Sequence, residues 1–152
     1  MGPLPKTYID QGFPSTPTFL YLRRLDLSSS FHGDRGAFEL AESSAFRYLE
    51  YLKAKNCQIG NQGFADLVAS PNLRRLKVLI LAKNSISKLV FPFDDLRLAT
   101  PVQRTREVMS LDLLDLRENQ LTSVKSNSKF LSDTVVLAWG NPMTERAIDG
   151  AI

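Results

Sequence analysis

LRRLDLSSS, residues Leu22 to Ser30, returns in altered form as LEYLKAKNC at Leu49 to Cys57 and as LKVLILAKN at Leu76 to Asn84. The first leucines of successive copies are 27 residues apart. Each copy has apolar residues at its first, fourth and sixth places, and Ser, Cys or Asn at its ninth. A fixed period of this length indicates stacked structural repeats, each of which buries its apolar side against the next.

Two further copies follow, at Leu111 after a gap of 35 residues and at Asp133 after a gap of 22. The copy at Leu111 meets the pattern fully, whereas the copy at Asp133 is degraded. Alternation along each copy predicts a short strand whose leucines enter one shared interior, while the residues between them face outward. The asparagines at the ninth place are predicted to bond the backbone of neighbouring turns; they are Asn84, Asn119 and Asn141.

Glycine followed by apolar residues at helical spacing predicts short helices in GDRGAFELAESS, from Gly33, and in GNQGFADLVASP, from Gly60. The segment after the third copy has two prolines and no such glycine pair, which predicts an irregular loop. The expected organisation is an extended N-terminal lead or cap over 1–18, a repeat domain over 19–143 with an irregular insertion at 88–108, and a short tail over 144–152.

The pattern Leu-x-x-Leu-x-Leu-x-x-Asn/Cys-x-Leu resembles the leucine-rich repeat family over roughly Phe19 to Met143. The helices between the first copies make the chain most similar to the ribonuclease-inhibitor-type members. The resemblance implies an α/β fold, a curved leucine-rich repeat solenoid with parallel inner strands and with helices and loops on the convex side. It also implies a binding protein, because the concave side of such a scaffold displays side chains to a partner.

The composition of the chain is that of one globular domain, with 152 residues, 43% hydrophobic and 23% charged. No apolar run approaches the length of a bilayer span, and the first residues lack the layout of a signal peptide, so we expect no membrane contact. A single cysteine and no Asn-x-Ser/Thr motif favour a cytoplasmic protein. With 19 basic and 16 acidic residues, the chain lacks the charge imbalance of a dedicated nucleic-acid binder, which disfavours nucleic acid as a partner.

The residues that could carry catalysis are few. His32 is the only histidine, and Cys57 occupies the ninth place of its copy, where a buried and inert thiol is expected. Asp94 and Asp95 follow a proline and fit a turn or a helix start better than a cation site. Because no phosphate-binding glycine loop or zinc-type spacing occurs either, we expect no enzyme activity, no cofactor and no metal.

The third, fifth and seventh places of each copy are predicted to line the inner face in columns. We call each copy, together with the connection that follows it, a row. At these places the first two rows are polar and partly basic, whereas the later rows are apolar and end at the only tryptophan. Asp115 is expected to be solvated. The predicted partner-binding residues are Tyr51, Lys53, Lys55, Val78, Ile80, Leu113, Asp115, Arg117, Val135, Leu137 and Trp139.

These columns predict a protein-protein interaction module that binds a protein partner, of unknown identity, through an apolar patch with a basic rim. The apolar rows have a second interpretation as strand formers or as the core of a cap, and self-association stays open. Two alternative functions use the same face. One is a regulator or inhibitor of an enzyme, nuclease- or GTPase-directed like the proteins it resembles; the other, less favoured, is an acidic-surface or nucleic-acid binder acting through Arg23, Arg24, Lys53, Lys55 and Lys83.

Overall fold

A computed structural model describes residues 21–30, 32–89, 91, 109–124, 131 and 133–143 of the chain. Within these residues the fold is α/β, with five strands and two α-helices. In chain order they are β1 (Arg24–Asp26), α1 (Gly33–Glu42), β2 (Tyr51–Lys53), α2 (Asn61–Ala69), β3 (Val78–Ile80), β4 (Leu113–Asp115) and β5 (Val135–Leu137). A 3-10 turn over Ser44–Phe46 follows α1.

The five strands form one parallel sheet in the order β1-β2-β3-β4-β5. Its register pairs each residue with the one at the same place of the next copy. One column of partners runs from Arg24 through Tyr51, Val78 and Leu113 to Val135. The copies are 27, 27, 35 and 22 residues apart, but the unequal lengths lie in the segments that connect the strands. The register of the sheet is therefore the same for all four strand pairs.

The core lies on one side of this sheet. The middle residues of β1 to β4 are buried leucines, as the alternation predicts, and Val136 of β5 packs partly buried against the same cluster. The two helices add their apolar sides to the core and contact each other. Gly63 makes their close approach possible, since a Cβ there would lie 2.6 Å from Oδ1 of Asp34 and 3.0 Å from Cβ of Ala37.

The buried side chain of Asn84 joins the backbone of its own row to that of the row before. Its Oδ1 accepts hydrogen bonds from the amides of Cys57 at 2.9 Å and Ile59 at 3.0 Å. Its Nδ2 donates to the carbonyl oxygens of Ala54 at 2.8 Å and Leu81 at 2.9 Å. These bonds confirm the predicted role of the ninth place, and they satisfy backbone groups that no strand could pair.

The same arrangement recurs in the next two rows. Oδ1 of Asn119 accepts from the amide of Ile86 at 3.0 Å, and its Nδ2 donates to the carbonyl of Leu81 at 2.9 Å. Asn141 accepts from the amide of Leu121 at 2.9 Å. In the second row, the buried thiol of Cys57 donates instead to the carbonyl of Leu27 at 3.1 Å. The ninth places thus form a continuous hydrogen-bonded ladder through the molecule.

A second ladder, which the repeat pattern did not predict, runs along the first turns of the helices. Oδ1 of Asp34 on α1 accepts from the amide of Gly60 at 2.6 Å, just before α2. Asn61 stands 27 residues later, at the start of α2, and its Oδ1 accepts from the amides of Ser87 at 2.8 Å and Lys88 at 3.0 Å. Each of these side chains therefore holds the loop of the following row.

A left-handed backbone residue follows every strand at the eighth place of its copy. These residues have φ between 55° and 79°; they are Ser29, Asn56, Lys83, Glu118 and Gly140. Only the last is glycine, so four rows hold an L side chain in a conformation that costs about 1 kcal/mol or more. The turn geometry is thus uniform although the sequence at this place is not.

Parts of the predicted organisation lie outside the described residues: the lead over 1–18, the tail over 144–152 and the insertion at 88–108 apart from 88, 89 and 91. In the part of the chain that is described, the longer helix has 10 residues, and neither helix is long and apolar enough to cross a bilayer.

We expect the Asn84→Ala substitution to lower the free energy of unfolding by about 3 kcal/mol or more, because it leaves several buried backbone groups without a partner. Ser85→Ala is the matched control, since Ser85 is exposed and only its backbone amide is bonded. Urea unfolding followed by circular dichroism measures both. A loss below about 1 kcal/mol for Asn84→Ala would show that the ladder is not needed for stability.

Candidate functional site

The side of the sheet opposite the core carries the predicted binding residues. We call this side the sheet face. It consists of the first and third residues of each strand and of the residue two places after the end of the strand. Parallel strands lie about 4.8 Å apart, so neighbours in a column touch or nearly touch. The register brings the predicted strand residues into two such columns, with Lys55, Arg117 and Trp139 following β2, β4 and β5.

The half of the sheet face around β1 and β2 is polar, and one of its three cations, Lys53, is paired with a carboxylate. The guanidinium of Arg24 lies 4.1 Å from the centre of the Tyr51 ring. Nζ of Lys53 lies 3.1 Å from Oδ2 of Asp26, and this pair is half-buried. Lys55 is half-buried and has no carboxylate partner among the described residues. The basic rim predicted here is therefore weaker than the count of lysines indicates.

The Asp26 carboxylate is held in its charged form. Burial raises its pKa, but the neighbouring Ser28, whose backbone amide donates to Oδ1 at 2.9 Å, and the ammonium of Lys53 outweigh burial. The pKa of Asp26 therefore lies below its usual value of about 3.8. The same contact raises the pKa of Lys53, so the pair stays fully ionised at neutral pH.

Asp115 corrects one prediction: it is not solvated, since only 2% of it is exposed. Its Oδ1 accepts from the backbone amide of Arg117 at 3.1 Å and from Nε of that residue at 2.8 Å, and its Oδ2 accepts from Nη2 at 2.7 Å. The short carboxylate folds back to the turn after its strand, as Asp26 does, but β4 has rows on both sides that cover it. Asp115 therefore positions the guanidinium of Arg117 and raises the pKa of Arg117. The buried carboxylate of Asp115 is not itself available to a partner.

The half around β3 to β5 is apolar. Val78, Ile80, Leu113 and Leu137 are half-buried in it. At its far side, Val135 is 59% and Trp139 62% exposed. Both side chains are thus exposed, and the described residues do not bury this row as a core. The guanidinium of Arg117 lies 5.1 Å from the centre of the Trp139 ring and continues the patch with a fixed cation.

Three of the cations proposed for an acidic or nucleic-acid partner are already engaged. Arg23 is paired with Glu50, and Lys53 with Asp26. Nζ of Lys83 lies 3.1 Å from Oε2 of Glu118. Only two of the five residues in that set, Arg24 and Lys55, have no carboxylate partner in the described part of the chain.

The described residues offer little to catalysis. No group of three or more His, Cys, Asp and Glu among them could hold a metal ion. Cys57 is buried, and Asp94 and Asp95 lie outside the described residues. A cavity of about 20 Å³ lies between α1, β2 and the turn after β1, lined mainly by apolar residues and by His32, whose buried Nε2 has no hydrogen-bond partner among the described residues. This volume corresponds to about one water molecule.

Comparison of the sequence with models of known protein families and with curated proteins found no match.

We expect Asp115→Ala to cost more stability than Asp26→Ala. The first change removes a buried carboxylate that satisfies a backbone amide and a guanidinium, at a cost of about 2 kcal/mol or more. The second removes a half-exposed pair worth less than about 1 kcal/mol. Chemical unfolding of the two variants measures the difference, and equal losses would contradict the assigned burial of Asp115.

Stability should also depend on pH through Asp26. Because folding lowers the pKa of Asp26, its charge stabilises the native state above about pH 4 and stops doing so as the pH falls through the lowered value. Asp26→Asn keeps an acceptor for the Ser28 amide but removes the charge. The variant should therefore be less stable than the parent chain at about pH 6 and approach it near pH 3. A difference in unfolding free energy that grows on acidification would refute this assignment.

Proposed function

We propose that the chain is a curved leucine-rich repeat solenoid that serves as a protein-protein interaction module in the cytoplasm. Five parallel strands whose register follows the repeat, and the ladder of Asn84, Asn119 and Asn141, support the solenoid. In this proposal the sheet face is the inner side, and the rows are rigid because hydrogen bonds join each one to the next. The single cysteine, buried and unpaired, supports a reducing compartment.

The observation that carries the binding function is the exposure of Trp139 and Val135 beside Leu137 and Leu113. Large apolar side chains at outward positions of a sheet, contiguous over several rows, are typical of interaction sites. Tryptophan is among the residues most often found to anchor a protein interface. The described chain does not cover these side chains, so a partner gains free energy by removing them from water.

The mechanism is display of a pre-organised surface. Trp139 takes up an apolar side chain of the partner, and Arg117 offers donors beside it that the partner's carbonyl or carboxylate groups accept. Two hydrogen bonds that this guanidinium donates to Asp115, and its contact with Trp139, fix it before binding, which lowers the entropy lost in the complex. Lys55 and Lys53 lie toward the other end of the sheet face and orient an acidic part of the partner.

Trp139→Ala should weaken binding of a captured partner by about 30-fold, or about 2 kcal/mol, without lowering stability, because the side chain is exposed. A partner is first identified with the parent chain, and its Kd is then measured by calorimetry for both. Arg35→Ala is the control, since Arg35 is an exposed residue of α1.

Fluorescence of the only tryptophan gives a second measurement. Its emission should be red-shifted and quenched by iodide in the free protein, and it should shift to the blue when the partner binds. A blue shift on concentrating the pure protein would instead assign the face to self-association. Unfolding of Trp139→Ala, or an unchanged Kd, would refute the proposed anchor.

A further inference from the structure

A second surface lies where the strands begin, away from the apolar half of the sheet face. Tyr21, Tyr48 and Arg75 occupy the same place in three consecutive rows, 27 residues apart. The two tyrosine rings are stacked, with centroids 6.1 Å apart and an interplanar angle of 19°. The guanidinium of Arg75 lies 4.9 Å from the centre of the Tyr48 ring. Because Tyr21 is 82% exposed, the stack presents an open aromatic ring to solvent.

Cations flank this stack. Arg47 and Arg74, the residues just before Tyr48 and Arg75, are exposed, and so is Lys77 just before β3. Together we call these six the strand-start surface: Tyr21, Arg47, Tyr48, Arg74, Arg75 and Lys77. Arg24, over the Tyr51 ring, continues it onto the polar half of the sheet face.

Within the described chain, the cations of this surface have no carboxylate partners, a property that they share with Lys55 on the sheet face. Among the residues that the structure describes, no carboxylate oxygen lies within 4.0 Å of Arg47, Arg74, Arg75 or Lys77. Arg35, Lys53, Lys83 and Arg117 are each paired with an acid. Asp112 is the acid of the row after Lys77, yet Nζ of Lys77 contacts the carbonyl of Ser110 instead. Two acids lie at the same end of the strands, Glu50, which is paired with Arg23, and Asp112. The four unpaired cations outnumber them, so this end of the sheet has a local excess of positive charge although the whole chain carries only +3.

We propose that the strand-start surface binds single-stranded nucleic acid. The unpaired cations suit phosphate groups, since binding them releases condensed counterions and no internal ion pair has to be broken. The exposed ring of Tyr21 suits an unpaired base, and the Arg75 guanidinium can stack in the same way. An acidic peptide would use the cations but would leave the exposed ring without a stacking partner. A duplex would hide its base faces from that ring.

The surface also has the extent that such a ligand needs. The stack crosses three rows, and rows lie about 4.8 Å apart, so it offers roughly 10 Å of continuous aromatic and guanidinium surface. A chain of a few nucleotides can lie along it, with its phosphates toward Arg47 and Arg74. This activity does not involve Trp139 and is independent of the partner-binding function.

The test is fluorescence anisotropy of the full chain with a labelled oligouridylate of about 12 nucleotides, a duplex of the same length and labelled polyglutamate. We expect binding to the single strand at about 50 mM salt, at least about 10-fold weaker binding to the duplex and to polyglutamate, and a marked loss of affinity at about 200 mM salt. No binding to the single strand, or equal binding to polyglutamate, would overturn the proposal; the latter would assign the surface to an acidic protein.

Two variants locate the site. Tyr21→Ala should weaken binding by about 5-fold or more through the lost stacking. Arg75→Ala should weaken it by a similar factor and reduce the slope of log Kd against log salt by about 1. Arg35→Ala removes the same charge from an exposed helix position and should change Kd less than about 2-fold, as should Trp139→Ala. If Arg35→Ala weakens binding as much as Arg75→Ala, the attraction is non-specific and the site is refuted. Circular dichroism confirms that each variant is folded.

Discussion

The buried backbone of the turns is the constraint on which the rest of the structure depends. Each strand is only three residues long, so the sheet pairs few of the amides and carbonyls that the core covers. Backbone bonds between neighbouring turns satisfy part of the others. The asparagines at the ninth places satisfy more of them, and each of these asparagines bonds its own row and the row before. Because these bonds allow one relative position of two rows, they also fix the register. The columns of the sheet face and the stack of Tyr21 on Tyr48 follow from that register.

The sequence predicted the parts that depend on one row at a time. Leu52 and Leu79 are buried because alternation within a strand is local, and Asn84 acts as its place in the pattern predicts. The prediction that Asp115 is solvated was wrong, because the burial of this residue depends on the rows on either side of it. The bond from Gly60 to Asp34 was missed for the same reason, although the spacing of Asp34 and Asn61 by 27 residues was a signal that could have revealed it.

The distribution of charge could not be predicted from net charge, which averages over the chain. What separates the two surfaces is where the carboxylates lie. On the sheet face, Asp26 and Asp115 hold Lys53 and Arg117 in fixed positions. Donors fixed in this way suit recognition of a partner by its shape and by its hydrogen-bond acceptors. Where the strands begin, Arg47, Arg74 and Arg75 have no carboxylate partner among the described residues, which suits a polyanion. Equal spacing of Arg47 and Arg74, and of Tyr21, Tyr48 and Arg75, was the overlooked signal in the sequence.

The left-handed residues after the strands have a consequence for how the chain can evolve. Ser29, Lys83 and Glu118 each hold an L side chain at a positive φ where Gly140 shows that glycine is accommodated. A change to glycine at such a place relieves steric strain that exceeds the added entropy of the unfolded chain, a gain of about 0.5 kcal/mol each. Substitutions there can therefore raise the stability of the fold at places that belong to neither the sheet face nor the strand-start surface. Mutations that alter ligand preference but weaken the fold can be compensated there, so specificity can drift without loss of the scaffold.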